Sequence, residues 1–224
     1  MPDIHSQLAS TIINSFMGLW YLIPLFIITA FFKSRYFKGR MGEAIVNSSI
    51  NRKLDKTQYH LIKDTTLPTD NGTTQVDHII ISKFGIFVIE TKNMKGWIFG
   101  GEHQKTWTQQ IYKTKNKFQN PLHQNYKHTK TLEKLLNLSS DKFHSVIVFT
   151  GEAMFKTTMP ENVLKGGYTD YIKSKTEVLF SGNEVKKLIK QVDSDRYERG
   201  FKTNREHVKN LKQNHSKTRK EPTF

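Results

Sequence analysis

Hydrophobic and polar positions change rhythm several times along the chain, and each rhythm predicts an element. Residues 12–32 run without a charged side chain and include Phe16, Leu19, Trp20, Leu25 and Ile28. As one helix that run would span about 31 Å, the thickness of a bilayer's hydrocarbon core. Residues 39–54 place Ala44, Ile45, Ile50 and Leu54 at roughly helical spacing, which predicts a helix. A short strand follows at 59–63, and 67–74, with Pro68, Asp70, Asn71 and Gly72, reads as a turn-rich loop. Two runs of Ile, Val and Phe at 79–81 and 86–89 flank Ser82-Lys83-Phe84-Gly85, the pattern of a largely buried β-hairpin. Shorter strands are expected at 96–101 and 105–109, joined by the Gly100-Gly101 turn, before a basic, exposed stretch at 112–117. Asn120-Pro121 marks a helix start, with Asn as cap and Pro at the first helical position. That helix runs to Leu136 and offers Tyr126, Leu132, Leu135 and Leu136 to a core. The continuous apolar run 145–150 predicts a buried strand, 151–176 is polar and turn-prone, and 177–180 suggests a last strand. Gly182-Asn183 opens a helix carrying Val185, Leu188, Ile189 and Val192. Beyond Asp195 charge dominates, as in an exposed helix fading into a disordered tail.

Charge refines this division. Lys33, Arg35, Lys38 and Arg40 follow the apolar run directly, whereas only Asp3 and His5 precede it. The absence of a basic stretch before it, and of a small-residue cleavage site after it, argues against a signal peptide. The positive-inside bias then predicts a single-pass membrane helix at 12–32, with the N-terminus outside and the remainder in the cytoplasm. The expected organisation is 1–11 extracytoplasmic, 12–32 transmembrane, 33–38 a basic linker, 39–150 the folded core, 151–193 its extension, and 194–224 a basic tail. The 224-residue chain has a formal charge of +15, which attracts polyanions such as nucleic acid, or anionic lipid beside the anchor. It contains no cysteine, which excludes disulfides and thiolate metal sites.

The central hairpin carries the candidate chemistry. Asp77, Glu90 and Lys92 interrupt its apolar runs, and strand alternation puts Glu90 and Lys92 on one face. A turn centred between Lys83 and Phe84 would set Asp77 across from Glu90 on that face, whereas a bulge at Gly85 would shift the register by one. Neighbouring carboxylates can share a divalent cation, and hard oxygen ligands suit Mg²⁺ or Mn²⁺. A lysine beside such a cation can act on a water or on phosphate charge. The competing reading is a solvated strand face with a salt bridge. The histidines form no metal-ligand spacing: His78 points away from Asp77's face, and His123 and His128 read as helix-surface residues. Gln124 and His128 lie one turn apart on one helix face. Trp97, Trp107, Tyr112 and Phe118 sit near basic residues, either as packing or as surfaces for stacking bases.

The order helix, strand, two-stranded hairpin, helix, strand, together with Asp77…Glu90-Thr91-Lys92, resembles the αβββαβ core of the PD-(D/E)xK nuclease superfamily. Gly42-Glu43, Gln75-Val76-Asp77-His78-Ile79, Val88 to Asn93, Gly96-Trp97, Trp107 and Asn120 to Gln124 resemble the nuclease-related domain, NERD, over roughly 39–150. Val76 stands where the strict superfamily signature has proline. The resemblance implies an α/β fold with a central mixed sheet flanked by helices. It also implies Asp77 and Glu90 as ligands of Mg²⁺ or Mn²⁺, Glu43 supporting that site, Lys92 acting on water or phosphate, and Gln124 contacting site or substrate. The function expected from it is a membrane-anchored, metal-dependent nuclease acting on DNA or RNA. The alternative is a non-catalytic module of the same fold that binds nucleic acid or a partner.

Overall fold

In the computed structural model the described residues are 18–70 and 72–197, with Asp3, Ile4, Thr11 and Asn14. They divide between two compact units, Met1–Met41 and Gly42–Phe224. In the first unit, helix α1 covers Leu22–Lys33, twelve residues, none of them buried. Such a helix is about 18 Å long, against roughly 30 Å of hydrocarbon core. The expected spanning helix over 12–32 is therefore not found: among the described residues, no helix is long and apolar enough to cross a membrane. Two local features bound α1. Pro24 lies in its first turn, where its missing N–H costs nothing. Ser34 is extended at its other end and accepts the Phe37 N–H at 3.1 Å, so it stops one helix and starts the next. The proposed membrane orientation thus has no described span to rest on, and residues 12, 13 and 15–17 lie outside the described residues.

Helix α2, Arg35–Lys53, buries Gly42, Val46 and Ile50, one residue per turn. Of the expected stripe, Ile50 and Leu54 are buried, whereas Ile45 is exposed and Val46 takes the packed position. The large sheet has the order β1-β2-β3-β7-β9, formed by Tyr59–Thr69, Gly72–Ser82, Gly85–Asn93, Phe143–Thr150 and Val163–Leu164. β1, β2 and β3 are antiparallel neighbours, and β3, β7 and β9 run parallel. A smaller sheet, in the order β6-β5-β4-β8, is built from Thr114–Gln119, Thr106–Ile111, Gly96–Phe99 and Ala153–Phe155. Helices α3 (Pro121–Leu136) and α5 (Gly182–Asp195) bury Leu132, Leu136, Val185 and Leu188 with Ile79, Ile81, Ile86 and Val88 of the large sheet. Ile80, Phe87 and Ile89 pack instead with Val46 and Ile50 of α2 and Ile172 of α4 (Tyr168–Ser174). Alternation thus gives β2 and β3 two buried faces, which is why both read as nearly continuous apolar runs. This is the expected mixed α/β architecture, with sheets flanked by helices and the order α2-β1-β2-β3-α3-β7 once β4–β6 are set aside.

Several local expectations are corrected. The loop anticipated at 67–74 is mostly sheet, because Leu67↔Thr74 and Pro68↔Thr73 continue the β1–β2 ladder. Pro68 is tolerated there because β1 is an edge strand and needs no second donor. The basic stretch 112–117 is exposed as expected, but it forms a tight turn and most of β6, paired with β5 from Thr106↔Gln119 to Ile111↔Thr114. The segment 177–180 forms no strand: Leu179 and Phe180 both donate N–H to the Lys83 carbonyl, so it closes over the hairpin turn. Tyr126 is 60% exposed rather than core. The expected basic tail from residue 198 onward lies outside the described residues.

Candidate active site

Residues 77, 90 and 92 meet because the β2–β3 hairpin has a two-residue turn. Ser82 pairs with Gly85 and His78 with Ile89, with no bulge at Gly85. The same register puts Asp77 one step past the last pair, opposite Glu90. There the ladder opens. The β1–β2 pairing passes from Lys63↔His78 to Thr65↔Val76, skipping Asp64 and Asp77, and Asp64 has φ 48°. In place of a ladder bond, Asp77 Oδ2 accepts the Thr91 N–H at 2.8 Å. The two strands are thus held together by the carboxylate itself, at the carboxyl end of β3.

Glu90 and Lys92 project toward α3. Lys92 Nζ donates to Glu90 Oε1 at 2.6 Å and to Gln124 Oε1 at 2.9 Å. Gln124 is delivered by the cap that begins α3: Asn120 Oδ1 accepts the Leu122 N–H at 3.0 Å, and Pro121 fills the first helical position. One turn further on, Asn125 is fully buried and donates to Val88 O and Ser145 Oγ, both at 2.8 Å. It fixes the height of α3 over the sheet, and so the reach of Gln124.

His128 is the residue that sequence reasoning placed wrongly. It is 4% exposed, and its Nε2 stands 3.3 Å from Glu90 Oε2. Thr74 Oγ1 bonds its Nδ1 at 2.8 Å. Neither Glu90 Oε2 nor His128 Nε2 makes a hydrogen bond of good geometry among the described residues, so their 3.3 Å approach is a buried electrostatic contact. The signal was the i, i+4 spacing from Gln124, which puts both side chains on one helix face. His78 behaves as alternation predicts, on the opposite face, where burial lowers its pKa to about 4.

Charge is unevenly settled between the two carboxylates. Burial pushes Asp77 well above the ordinary aspartate range, and the negative charges of Glu90 and Glu43 push it further. Burial also acts upward on Glu90, but His128 and Lys92 together outweigh it and hold its pKa below the usual glutamate value. One carboxylate is therefore compensated by the Lys92 ammonium and the facing His128 ring, whereas the other is raised. Glu43 is brought close by Gly42, whose position admits no side chain: a Cβ there would lie 2.7 Å from Asn93 Cβ and 2.8 Å from Thr150 Oγ1. Glu43 acts on Asp77 through its charge. Among the described residues, however, no three His, Cys, Asp or Glu side chains form a group that could hold a metal ion. Two carboxylates, Asp77 and Glu90, are what this site offers to a cation.

The profile of the nuclease-related domain, NERD, matches residues 38–150, half of the chain. The chain belongs to the NERD family. The NERD match takes in most of α2 and every element through β7, hence all five candidate site residues, whereas β8, β9, α4 and α5 lie beyond it. An uncharacterized protein of Bacillus anthracis is 48% identical over 101 residues, which cover 45% of this chain and 47% of that relative. The chain thus spans about half the length of the curated relative it matches. No solved structure matches the chain.

Proposed function

We propose that this NERD domain hydrolyses nucleic-acid phosphodiester bonds with Mg²⁺ or Mn²⁺ held between Asp77 and Glu90. The observation that carries the reading is a buried glutamate, Glu90, set by the strand register opposite Asp77, whose carboxyl burial and neighbouring negative charge push well above the ordinary range. A buried carboxyl raised by a neighbouring carboxylate, as Asp77 is, is relieved by a shared cation, and Mg²⁺ keeps waters in the positions that protein does not fill, so two carboxylates suffice. A bound cation would supply charge neutralisation at the scissile phosphate and lower the pKa of an attacking water.

The chain's own residues supply orientation and charge. Lys92, held between Glu90 and Gln124, presents an ammonium that can donate to a phosphate oxygen or hold the attacking water. Gln124 keeps that ammonium in place if Glu90 turns toward a cation. His128 fixes Glu90 from behind and is itself steadied by Thr74. Glu43 adds negative potential that favours cation entry. A second reading, a non-catalytic NERD module that binds nucleic acid or a partner, is favoured by one feature: Lys92 already neutralises Glu90 without any metal.

The test incubates the full chain with labelled single-stranded and duplex DNA and RNA in Mg²⁺, Mn²⁺ or EDTA. Cleavage is expected with either metal, none in EDTA, and a loss of at least about 100-fold in Asp77→Asn and in Glu90→Gln. Cleavage undiminished in both variants refutes the proposal, and metal-independent binding without cleavage selects the second reading.

A further inference from the structure

The aromatic residues divide in the fold. Trp107 is fully buried, stacked 6.1 Å from Phe149 with its Nε1 donating to Gly101 O, and serves as core. Trp97 is 41% exposed, Tyr112 93% and Met154 47%. These three share a groove of about 720 Å³ on the small sheet, whose walls also include Lys95, Lys165 and one acidic residue, Glu152. That volume falls within the roughly 300–1,000 Å³ usual for ligand clefts. A third lysine, Lys156, holds its Nζ 4.7 Å from the centre of the Trp97 ring.

Three observations argue that the groove is built for an occupant. Tyr112 is held at φ 52°, a backbone region that a bulky L-residue rarely adopts, with Gln110 Nε2 donating to its carbonyl at 3.1 Å. The two-residue turn between β5 and β6 asks for that backbone at its first central position, and it leaves the large ring standing out in solvent. Cations lie beside exposed rings, the combination that follows a phosphate backbone while offering flat faces to its bases. Lastly, the groove begins where the site ends. Lys95 is three residues past Lys92, at most about 10 Å of chain, and Gly151, in the groove wall, directly follows Thr150, the partner of Asn93.

We infer that the groove walled by Trp97, Tyr112, Met154, Lys95 and Lys165 binds the unpaired bases of a single-stranded nucleic acid whose backbone continues toward Asp77 and Glu90. The inference rests on the nuclease reading for its class of ligand and narrows that class to unpaired strands. Bases inside a duplex are already stacked on one another and present only edges and phosphates, so rings standing out from a groove gain from them only charge contacts. A splayed strand gains stacking as well.

The experiment titrates the full chain, in EDTA, with a fluorescein-labelled ten-residue oligothymidylate and with a duplex of the same length, following anisotropy and tryptophan emission. Trp97→Ala and Tyr112→Ala are each expected to weaken binding of the single strand about 5- to 100-fold, the range of one lost base stack, and the duplex far less. Trp97→Phe restores most of the affinity but removes the emission change, which assigns the quenched indole among the three tryptophans. Equal single-strand affinity in the wild type and Trp97→Ala overturns the inference, as does an equal loss for single strand and duplex. Since no step here needs a metal, failure of cleavage leaves a positive result standing. Unchanged affinity in Trp97→Ala removes the groove but not the nuclease reading.

Discussion

At the scale of single residues, Asp77 and Glu90 face each other in opposite electrostatic condition, and that difference is measurable without any substrate. Asp77 titrates higher in the fold than in the unfolded chain. Its favourable contribution is therefore complete only below the ordinary aspartate value, near 3.9, and is lost as pH climbs through the folded one. Glu90 is lowered, so it stabilises above the ordinary glutamate value and loses that contribution as pH falls through its folded one. At pH 7 in EDTA, Asp77→Asn should raise the melting temperature, since it removes a buried charge that the fold disfavours. Glu90→Gln should lower it by about 4–8 °C, the loss of about 2 kcal/mol of charged hydrogen bonding to Lys92. Calorimetry in matched buffers reads both, and a fall of similar size in the two variants would contradict the assignment. The Asp…Glu-x-Lys spacing was legible in the sequence because strand alternation and a two-residue turn determine it. The role of His128 was not, because nothing in a helix's own sequence says which charged group lies across from a given face.

At the scale of elements, the approach of α2 to the ends of β3 and β7 decides whether Glu43 can influence the site. Gly42 makes the approach possible, and a methyl there would collide with Asn93 Cβ, a rigid neighbour, at 2.7 Å. Gly39, three residues earlier in the same helix, has nothing within 4 Å of an added Cβ among the described residues. One substitution should therefore act with opposite signs at two positions. Gly42→Ala should destabilise by about 1–3 kcal/mol through overpacking, whereas Gly39→Ala should stabilise by up to about 1 kcal/mol through helix propensity. Urea unfolding of the two variants checks the pair, and equal effects would mean that α2 does not pack as described. The helix α3 was readable to its first residue because Asn120-Pro121 is a local signal with a local cause. The strand β6 was not, since Thr114, Lys115, Asn116 and Lys117 are exposed and owe their extension to pairing with β5 rather than to any apolar alternation. Ile45 was misjudged for a related reason, although Ile50 and Leu54 were read correctly: Val46 and Ile45 are equally apolar, and only the sheet beneath chooses between them.

At the scale of the whole molecule, the question is where a formal charge of +15 does its work. Two regions compete: the lysines around the small-sheet groove and the basic sequence from Arg196 onward. Salt dependence separates them. For single strands, log K falls against log salt with a slope of about 0.7 per phosphate neutralised, so a site meeting about four phosphates loses about 50-fold between 50 and 200 mM salt. Each lysine removed from the contact should reduce the slope by about 0.7. The double variant Lys95→Gln/Lys165→Gln should therefore flatten the slope for oligothymidylate in EDTA by about 1.4 and weaken binding at low salt. Neither side chain belongs to the Asp77–Glu90–Lys92 cluster, so the folded site should be unaffected, and a melting curve matching the wild type verifies that. An unchanged slope would move the electrostatic footprint off the groove and onto the C-terminal sequence. The carboxylates would then act on a strand captured elsewhere, and the spacing between tail and site, rather than the rings of the small sheet, would set how the strand is presented.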